Sequence, residues 1–475
     1  MTIVGFNNDI NTLERAVKER VFYVKEGDGF VTPPKPLPGH FAASLALTRE
    51  LLLRHLPRVA PLSRLDFVET FRGSKRKLYE AARMDLLRRG FTFRDAWIKV
   101  FVKYEKTDFT RKTDPVPRVI SPRSTRYNIE VGRFLRPLEE RIFRSIAKLF
   151  GEPTVFKGMN SLRTGREMHA KWSRYKDPVA VGADASRFDQ HVSADALRWE
   201  HSIYMECFPR RRHRRLLRRL LLMQIRNVCR GYTEDGKLAY TTDGGRMSGD
   251  MNTSLGNCLL MCCMFHAYAR SLGIRISLAN NGDDCVIIME RADLQRFMAG
   301  VGPWFRAMGF NMVMEQPCYQ FEEIEFCQTK PVWVGPGVDD YLMVRHPKWA
   351  VAKDTMCVHG WQTMDMYRGW LHAVGTGGMA MSGCVPVFQE FYMALLRHGA
   401  FKQAASDSQS WGVRQLQKGM HREYGEVLPA TRASFFWAFG VTPDEQLVLE
   451  EFYRGVDISG PLTSADVQFQ TPMPL

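Results

Sequence analysis

The stretch Ser277-Leu-Ala-Asn280-Asn281-Gly282-Asp283-Asp284-Cys285-Val-Ile-Ile-Met289 sets the reading of the whole chain. An apolar run enters it, Asn-Asn-Gly supplies residues that tolerate a left-handed backbone, and a β-branched run leaves it. That pattern predicts a tight hairpin with two adjacent aspartates at its tip. Crowded carboxylates repel, so such a pair between buried strands is costly unless a cation or a solvated loop relieves it. By itself, a Gly-Asp-Asp turn is most simply an acidic surface turn.

Two further stretches change that balance. In Val179-Ala-Val-Gly-Ala-Asp184-Ala-Ser-Arg-Phe188-Asp189 an apolar run reads as a buried strand, and Asp184 falls where the strand ends. If Asp184 and Asp283 meet at neighbouring strand ends, their oxygens suit two Mg2+ ions about 3.5–4 Å apart, the arrangement used for phosphoryl transfer. Gly245-Arg-Met-Ser248-Gly249-Asp250-Met-Asn252-Thr253-Ser-Leu-Gly256-Asn257 begins Gly-rich and polar and passes into an apolar run. It reads as a loop feeding a long buried helix, with Asp250 or Asn252 as N-cap. On that helix Thr253 and Asn257 share a face.

In this order the three segments closely resemble motifs A, B and C of viral RNA-dependent RNA polymerases, and they are most similar to the tombusvirus-type enzymes of plus-strand RNA viruses. The resemblance implies an α+β right-hand fold, with an RRM-like antiparallel palm sheet backed by helices and a mainly helical thumb. It divides the chain into fingers (1–151), palm with motif A (152–191), a fingers insertion (192–250), palm with motifs B to E (251–331), and thumb with the C-terminal tail (332–475). It assigns Asp184, Asp283 and Asp284 to catalysis and to binding two Mg2+ ions, for which Mn2+ can substitute. It assigns Asp189, Ser248, Thr253 and Asn257 to ribose selection, with Gly249 giving the motif B loop its freedom to shift beside RNA. Without the motif, Ser248 and Thr253 are hydroxyls at a helix start.

Asp189 also separates two enzyme classes. Reverse transcriptases place a bulky aromatic at that motif A position, whereas a carboxylate accepts a hydrogen bond from a ribose 2′-OH, directly or through neighbours.

The composition is that of a globular protein: 475 residues, 45% hydrophobic, 12% aromatic. This length allows a sizeable core in several lobes. A formal net charge of +15 points to a polyanionic partner. The ten cysteines include no CxxC pair and read as buried thiols rather than a zinc site. The start lacks a secretory signal, and no apolar run is long enough to span a membrane.

Along the chain, residues 11–24 carry apolar positions at helical or strand-like spacing, and Thr32-Pro-Pro-Lys-Pro-Leu-Pro-Gly39 is a stiff extended connector. By resemblance such a segment crosses from fingers towards thumb and helps enclose the site. Phe41 to Leu56 reads as a helix ended by Pro57. Phe71-Arg72-Gly73-Ser74-Lys75-Arg76-Lys77-Leu78-Tyr79 combines four cations with two aromatics, as either a template contact or a solvated basic turn.

Lys99 to Lys106 and Asp114 to Ser124 read as two short strands broken by prolines. They resemble motif F, which implies that Arg118 binds the incoming triphosphate with Lys103 and Arg123 as companions. In related viral enzymes a lysine lies close before the motif F arginine, and this chain has Asp114-Pro115 there. Lys157 to Arg163 leads into the palm, and Ala194 to Met205 reads as a helix. Pro209-Arg-Arg-Arg-His-Arg-Arg-Leu-Leu-Arg-Arg-Leu sets Leu216, Leu217, Leu220 and Leu221 opposite a cationic face, either an RNA contact or a wet helix side.

Ala292 to Met308 (helix) and Gly309 to Glu315 (strand) match motif D in place, but no lysine lies between Val301 and Gln320 to protonate pyrophosphate. Lys330, Arg306 or water are the alternatives. Glu325-Phe-Cys-Gln328 resembles motif E. Beyond Pro331, helical stretches at Val387 to Leu396 and Ala433 to Phe439 suit a thumb, a Gly-rich stretch from Gly375 to Gly383 precedes them, and the end from Ser459 is turn-rich.

The activity expected from the resemblance is template-directed RNA synthesis from ribonucleoside triphosphates, with primer-independent initiation. A reverse transcriptase and a noncatalytic RNA-binding replication subunit are the other classes. The partners implied are RNA template and product and a membrane-anchored auxiliary replication protein. That partner would place the chain in the host cell cytoplasm at membrane-associated replication complexes.

Overall fold

The computed structural model describes residues 3–105, 107–109, 113–337, 340–356, 363–401, 419–458 and 460. It is a mixed α+β structure whose centre is a four-stranded antiparallel sheet. The strand order is Ser277–Asn280, Asp284–Glu290, Pro178–Ala185, Met312–Met314. The apolar runs on either side of Asn281-Gly282-Asp283 form the expected hairpin, with Asn280 opposite Cys285 and Ser277 opposite Ile288. Gly282 carries the positive φ of +97° that the tight connection needs. Register then does the decisive work: Asp284 pairs directly with Asp184, so the acidic ends of two strands distant in sequence lie side by side.

The helix Thr253–Leu272 backs this sheet, with Cys258, Leu259, Cys262, Cys263 and Phe265 buried in the largest core. Because it is apolar all round it sits inside the molecule rather than on a surface. The nine cysteines among the described residues are free thiols. Burial holds the Cys258 thiol up at about 12, which keeps it protonated and inert at neutral pH.

A second four-stranded sheet, ordered Val119–Ile120, Ile98–Val102, Arg226–Tyr232, Lys237–Asp243, carries the two motif F strands. The C-terminal part has its own core, in which Val332, Trp370, Phe388, Phe391 and Phe435 pack beside the hairpin Thr329–Trp333 and Tyr341–Arg345. Among the described residues no helix is long and apolar enough to cross a membrane.

Several expectations need correction. The basic stretch at 71–79 is no turn: Gly73–Arg89 is one helix. The Gly-rich stretch from Gly375 lies within Met364–Ser382, a continuous helix whose Gly375 and Gly378 face Leu396 and Tyr392 of the helix Phe388–His398. Those glycines let two helices approach closely, and packing overrides the poor helix propensity. The helix at 41–56 is split into His40–Ser44 and Ala46–Leu53 at buried Leu45. On Arg211–Leu222, Leu217, Leu220 and Leu221 are buried but Leu216 is exposed. Most of the turn-rich end beyond Ser459 lies outside the described residues.

Candidate active site

The hairpin tip is built by side chains as much as by the glycine. The Asn280 amide nitrogen donates to the Gly282 carbonyl at 2.7 Å, and its oxygen accepts from the Gly282 N–H at 3.2 Å. The Asn280 main chain also pairs with Thr154 and Phe156, so the turn is clamped from behind. Neither asparagine has a positive φ, so both are there for their amides rather than for left-handed backbone.

Asp184 and Asp283 are exposed and line one cavity of about 850 Å3 together with Arg118, Asp189 and Ser248. Asp284 is half-buried and turns the other way, accepting the backbone N–H of Cys327 at 2.9 Å. Cys327 and Gln328 both have positive φ, and this tight motif E turn aims that N–H at the hairpin. Burial raises the Asp284 carboxyl to about 6, and Asp283 and Asp184 push it the same way. The acidic residues therefore feel one another across the strand ends.

Among the described residues, no three His, Cys, Asp or Glu side chains are close enough to enclose an ion together. Two exposed carboxylates on a cavity wall still fit a hard divalent cation that completes its shell with water and substrate oxygens. Asp184 and Asp283 are the pair placed to hold it, while Asp284 Oδ2 is engaged by the Cys327 N–H.

Asp189 sits in the short helix Phe188–His191, which Arg187 starts with φ of +50°. A non-glycine residue there is strained and is held by its surroundings. The Arg187 guanidinium donates to the Glu19 and Tyr23 carbonyls, and the Gln190 amide donates to Tyr23 O at 2.9 Å. The N-terminal segment thus pins the loop that carries Asp189, and it encloses the site with Thr32 to Pro36, which line the same cavity.

Asn257 donates from its amide nitrogen to Asp189 Oδ1 at 2.9 Å. Its amide oxygen accepts Arg246 Nε–H at 3.0 Å, and Arg246 pairs with Glu200, both of them fully buried. Glu200 also accepts Asn252 at 2.7 Å and Tyr204 at 2.8 Å. Burial opposes the Glu200 charge, but Arg246 outweighs it and holds the carboxyl below its usual range. Sequence reasoning missed Arg246 and Glu200. The one signal available was an arginine inside the motif B loop, whose partner on the helix Ala194–Glu206 no spacing announces. Asp189 itself is raised by burial, with Asn257 and Arg246 opposing.

The other expected residues divide. Arg118 is exposed and lines the cavity. The Lys103 ammonium pairs with Glu105 at 2.6 Å and is not part of the cavity wall. Arg123 is corrected outright: it is buried, with Nε on Asp250 at 2.5 Å and other N–H groups on Ala96 O, Met223 O and Asn227, leaving nothing for a triphosphate. Asp250 is therefore an internal counter-ion rather than the N-cap, and Asn252, in the cap position, makes no side-chain cap.

Arg20 and Arg187, which the sequence did not single out, line the cavity in its place. Burial lowers Arg20 to about 10, with repulsion from Arg187 and Arg118 adding to the effect, so the cavity gathers guanidiniums opposite its carboxylates.

Ser248 is exposed and accepts the Ser121 N–H at 3.0 Å, tying motif B to motif F. Thr253 donates to Met247 O and Asp250 O at 2.8 and 3.0 Å, closing its own loop. A side chain at Gly249 would lie 2.5 Å from Pro122 Cα, so this glycine serves close packing in the present conformation.

Arg72, Lys75, Arg76 and Lys77 are exposed at the start of their helix, outside the cavity wall, with Arg76 paired to Glu69 at 2.6 Å and Lys75 over the Phe71 ring. The aromatics beside them are spent on each other: Phe71 and Tyr79 stack at 4.6 Å, and Tyr79 is buried. Lys330 lies in the strand Thr329–Trp333 near Glu315, whose carboxyl is raised by burial and then by Glu325, Asp284 and Asp184.

Comparison with known proteins places the chain in a family. Residues 1–460 match the family described as "Viral RNA dependent RNA polymerase". Similar proteins called "RNA-directed RNA polymerase" include that of Oat chlorotic stunt virus, 50% identical over 470 residues, covering 95% of this chain and 62% of the relative. The protein of Tobacco necrosis virus (strain A) is 45% identical over 94% of this chain and 61% of its own length. That of Turnip crinkle virus is 40% identical over 95% and 58%. The chain thus spans about 60% of the length of these curated relatives. With acidic strand ends, a polar loop-to-helix segment and a family match along nearly all its length, the chain belongs to the viral RNA-dependent RNA polymerases, of the tombusvirus type.

Proposed function

We propose that the chain is the polymerase portion of a plus-strand RNA plant virus replication protein and joins ribonucleotides to an RNA 3′ end under template direction. The observation that carries this reading is the meeting of Asp184, Asp283 and Asp189 with Arg118 around one cavity, from stretches as much as 165 residues apart (283 − 118).

Asp184 and Asp283 would hold divalent metal ions, Mg2+ or Mn2+, whose charge would lower the pKa of the 3′-hydroxyl and offset that of the leaving pyrophosphate. The chain contributes placement. Arg118 approaches the triphosphate, with Arg20 and Arg187 adding positive charge on the same wall. Asp189, held by Asn257, accepts from the ribose 2′-OH, and Ser248 offers its hydroxyl at the same opening. Asp284 supports the tip through Cys327. Lys330, Arg306 or water remains the proton source for pyrophosphate, and initiation proceeds without a primer.

The proposed lobes keep the boundaries 151, 191, 250 and 331. Recruitment to cytoplasmic membrane-associated replication complexes runs through a membrane-anchored partner.

The test is synthesis of complementary RNA by the purified chain from an RNA template, ribonucleotides and Mg2+, abolished in Asp283→Asn. Equal use of deoxynucleotides would shift the reading to a reverse transcriptase. No synthesis with any template or metal would leave an RNA-binding subunit.

A further inference from the structure

The helix Arg211–Leu222 carries six arginines in 12 residues, namely Arg211, Arg212, Arg214, Arg215, Arg218 and Arg219, all exposed. None of them makes an ion pair or side-chain hydrogen bond among the described residues. Elsewhere many surface arginines on helices find a carboxylate one turn away, as Arg54 does with Glu50, Arg83 with Glu80, Arg198 with Asp195 and Arg454 with Glu451. The helix has no acidic residue in its first turn, so its cations also face the positive end of its own dipole. Arg211 and Arg215, Arg214 and Arg218, and Arg215 and Arg219 are each four apart, where like charges destabilise a helix by about 0.2–0.5 kcal/mol per pair.

Something rigid offsets this repulsion. Leu217, Leu220 and Leu221 are buried in the main core. At the C-terminal end Tyr127 Oη donates to Leu220 O at 2.9 Å, and Arg123 donates to Met223 O at 3.2 Å. The arginine face is therefore a fixed platform, and none of its residues lines the catalytic cavity.

We infer that the exposed face of Arg211–Leu222 is a second RNA-holding surface, gripping the sugar-phosphate backbone outside the cavity. Guanidinium forks match phosphate oxygens bidentately, and a rigid row of them releases condensed counterions when a polyanion docks. An anionic membrane offers phosphates too. A helix that inserts at a bilayer surface needs a free apolar face, however, and here that face is consumed by the core, leaving only Leu216 and Leu222 exposed. The contact stands whether or not the cavity carries out nucleotide transfer.

The full chain carrying Arg211→Gln, Arg215→Gln and Arg218→Gln together is compared with the unaltered chain. Binding is measured to a labelled single-stranded RNA across a salt series and to phosphatidylserine–phosphatidylcholine vesicles. The expected result is about tenfold weaker RNA binding with a log–log salt slope shallower by about 2, three phosphate contacts at about 0.7 each. Nucleotide addition at saturating RNA should be unchanged.

Unaltered affinity and slope would overturn the inference. So would loss of vesicle binding with RNA binding retained, which would make the surface a membrane contact. A fall in addition at saturating RNA would overturn its separation from the cavity. Should the triple variant lose its thermal transition, Arg215→Gln alone decides, with an expected slope change of about 0.7.

Discussion

Arg246 Nε–H donates to the amide oxygen of Asn257 at 3.0 Å, and that contact fixes which end of the amide faces Asp189. With the oxygen occupied, the amide nitrogen must point at the carboxylate. Arg246→Lys keeps a cation against Glu200 but has no Nε–H for Asn257, so the amide is free to flip. On the proposed function, preference for UTP over dUTP should fall about tenfold while the melting temperature stays within a few degrees. Ratios of kcat/KM for the two substrates measure this. An unchanged ratio in a folded variant would show that the Asn257 amide is fixed by Asp189 alone.

Asp184 and Asp283 are exposed and Asp284 is not, so their neutral variants should behave differently. Asp184→Asn and Asp283→Asn should each lower nucleotide addition by about a thousandfold or more, while stability holds or rises as repulsion is relieved. Asp284→Asn should lower activity less and flatten the pH dependence of stability, because the fold already favours a neutral group there and the amide oxygen still accepts from the Cys327 N–H. Paired activity and thermal melts distinguish the two patterns.

The raised Asp284 carboxyl gives a pH signature. Its folded value of about 6 lies above the ordinary carboxylate range, so the folded state binds the proton more tightly than the unfolded one. Its contribution to stability is fully present below about pH 4 and is lost as pH rises through 6. Divalent cations should offset that loss. Mg2+ or Mn2+ should raise the melting temperature more at pH 7.5, where the Asp284 charge is present to be offset, than at pH 4.5, where it is neutral, and Asp283→Asn should reduce that difference.

Arg118 and Arg123, five apart in the same motif, should separate cleanly. Arg118→Ala is expected to raise KM for nucleotides about tenfold or more with little change in folding. Arg123→Ala leaves Asp250 buried without its counter-ion, which costs about 3–5 kcal/mol. It should appear first as a lowered melting temperature.

Gly249→Ala places a Cβ 2.5 Å from Pro122 Cα. The motif B loop must move, and the Ser121–Ser248 hydrogen bond should be lost with it. We expect about 1–3 kcal/mol of destabilisation together with reduced activity, read by thermal melting and by the rate of nucleotide addition.

The parts that were legible in the sequence rest on local periodicity. The 277–290 hairpin, the strand ending near Asp184 and the loop before Thr253–Leu272 each announce themselves within about a dozen residues. What stayed hidden depends on contacts far along the chain. Nothing near Arg123 shows that Asp250 and Asn227 will surround it, and nothing near Glu200 shows that Arg246 will reach it. The basic run at 71–79 contains Gly73 and looks like a turn, yet stacking of Phe71 and Tyr79 and packing of Ala82 and Leu86 extend it as a helix. At Gly375 and Gly378 a Gly-rich composition with no legible role serves helix contact, which only the partners Leu396 and Tyr392 reveal.

The left-handed Arg187, roped to the Glu19 and Tyr23 carbonyls, joins two places 168 and 164 residues apart. Closing so long a loop costs entropy that no local contact returns. The Asp189 turn should therefore be a late event in folding and an early one in unfolding. Hydrogen exchange at Arg187 to His191 would report on the N-terminal segment as faithfully as on the turn itself, so damage near residue 20 should be felt at the Asp189 turn, far along the chain.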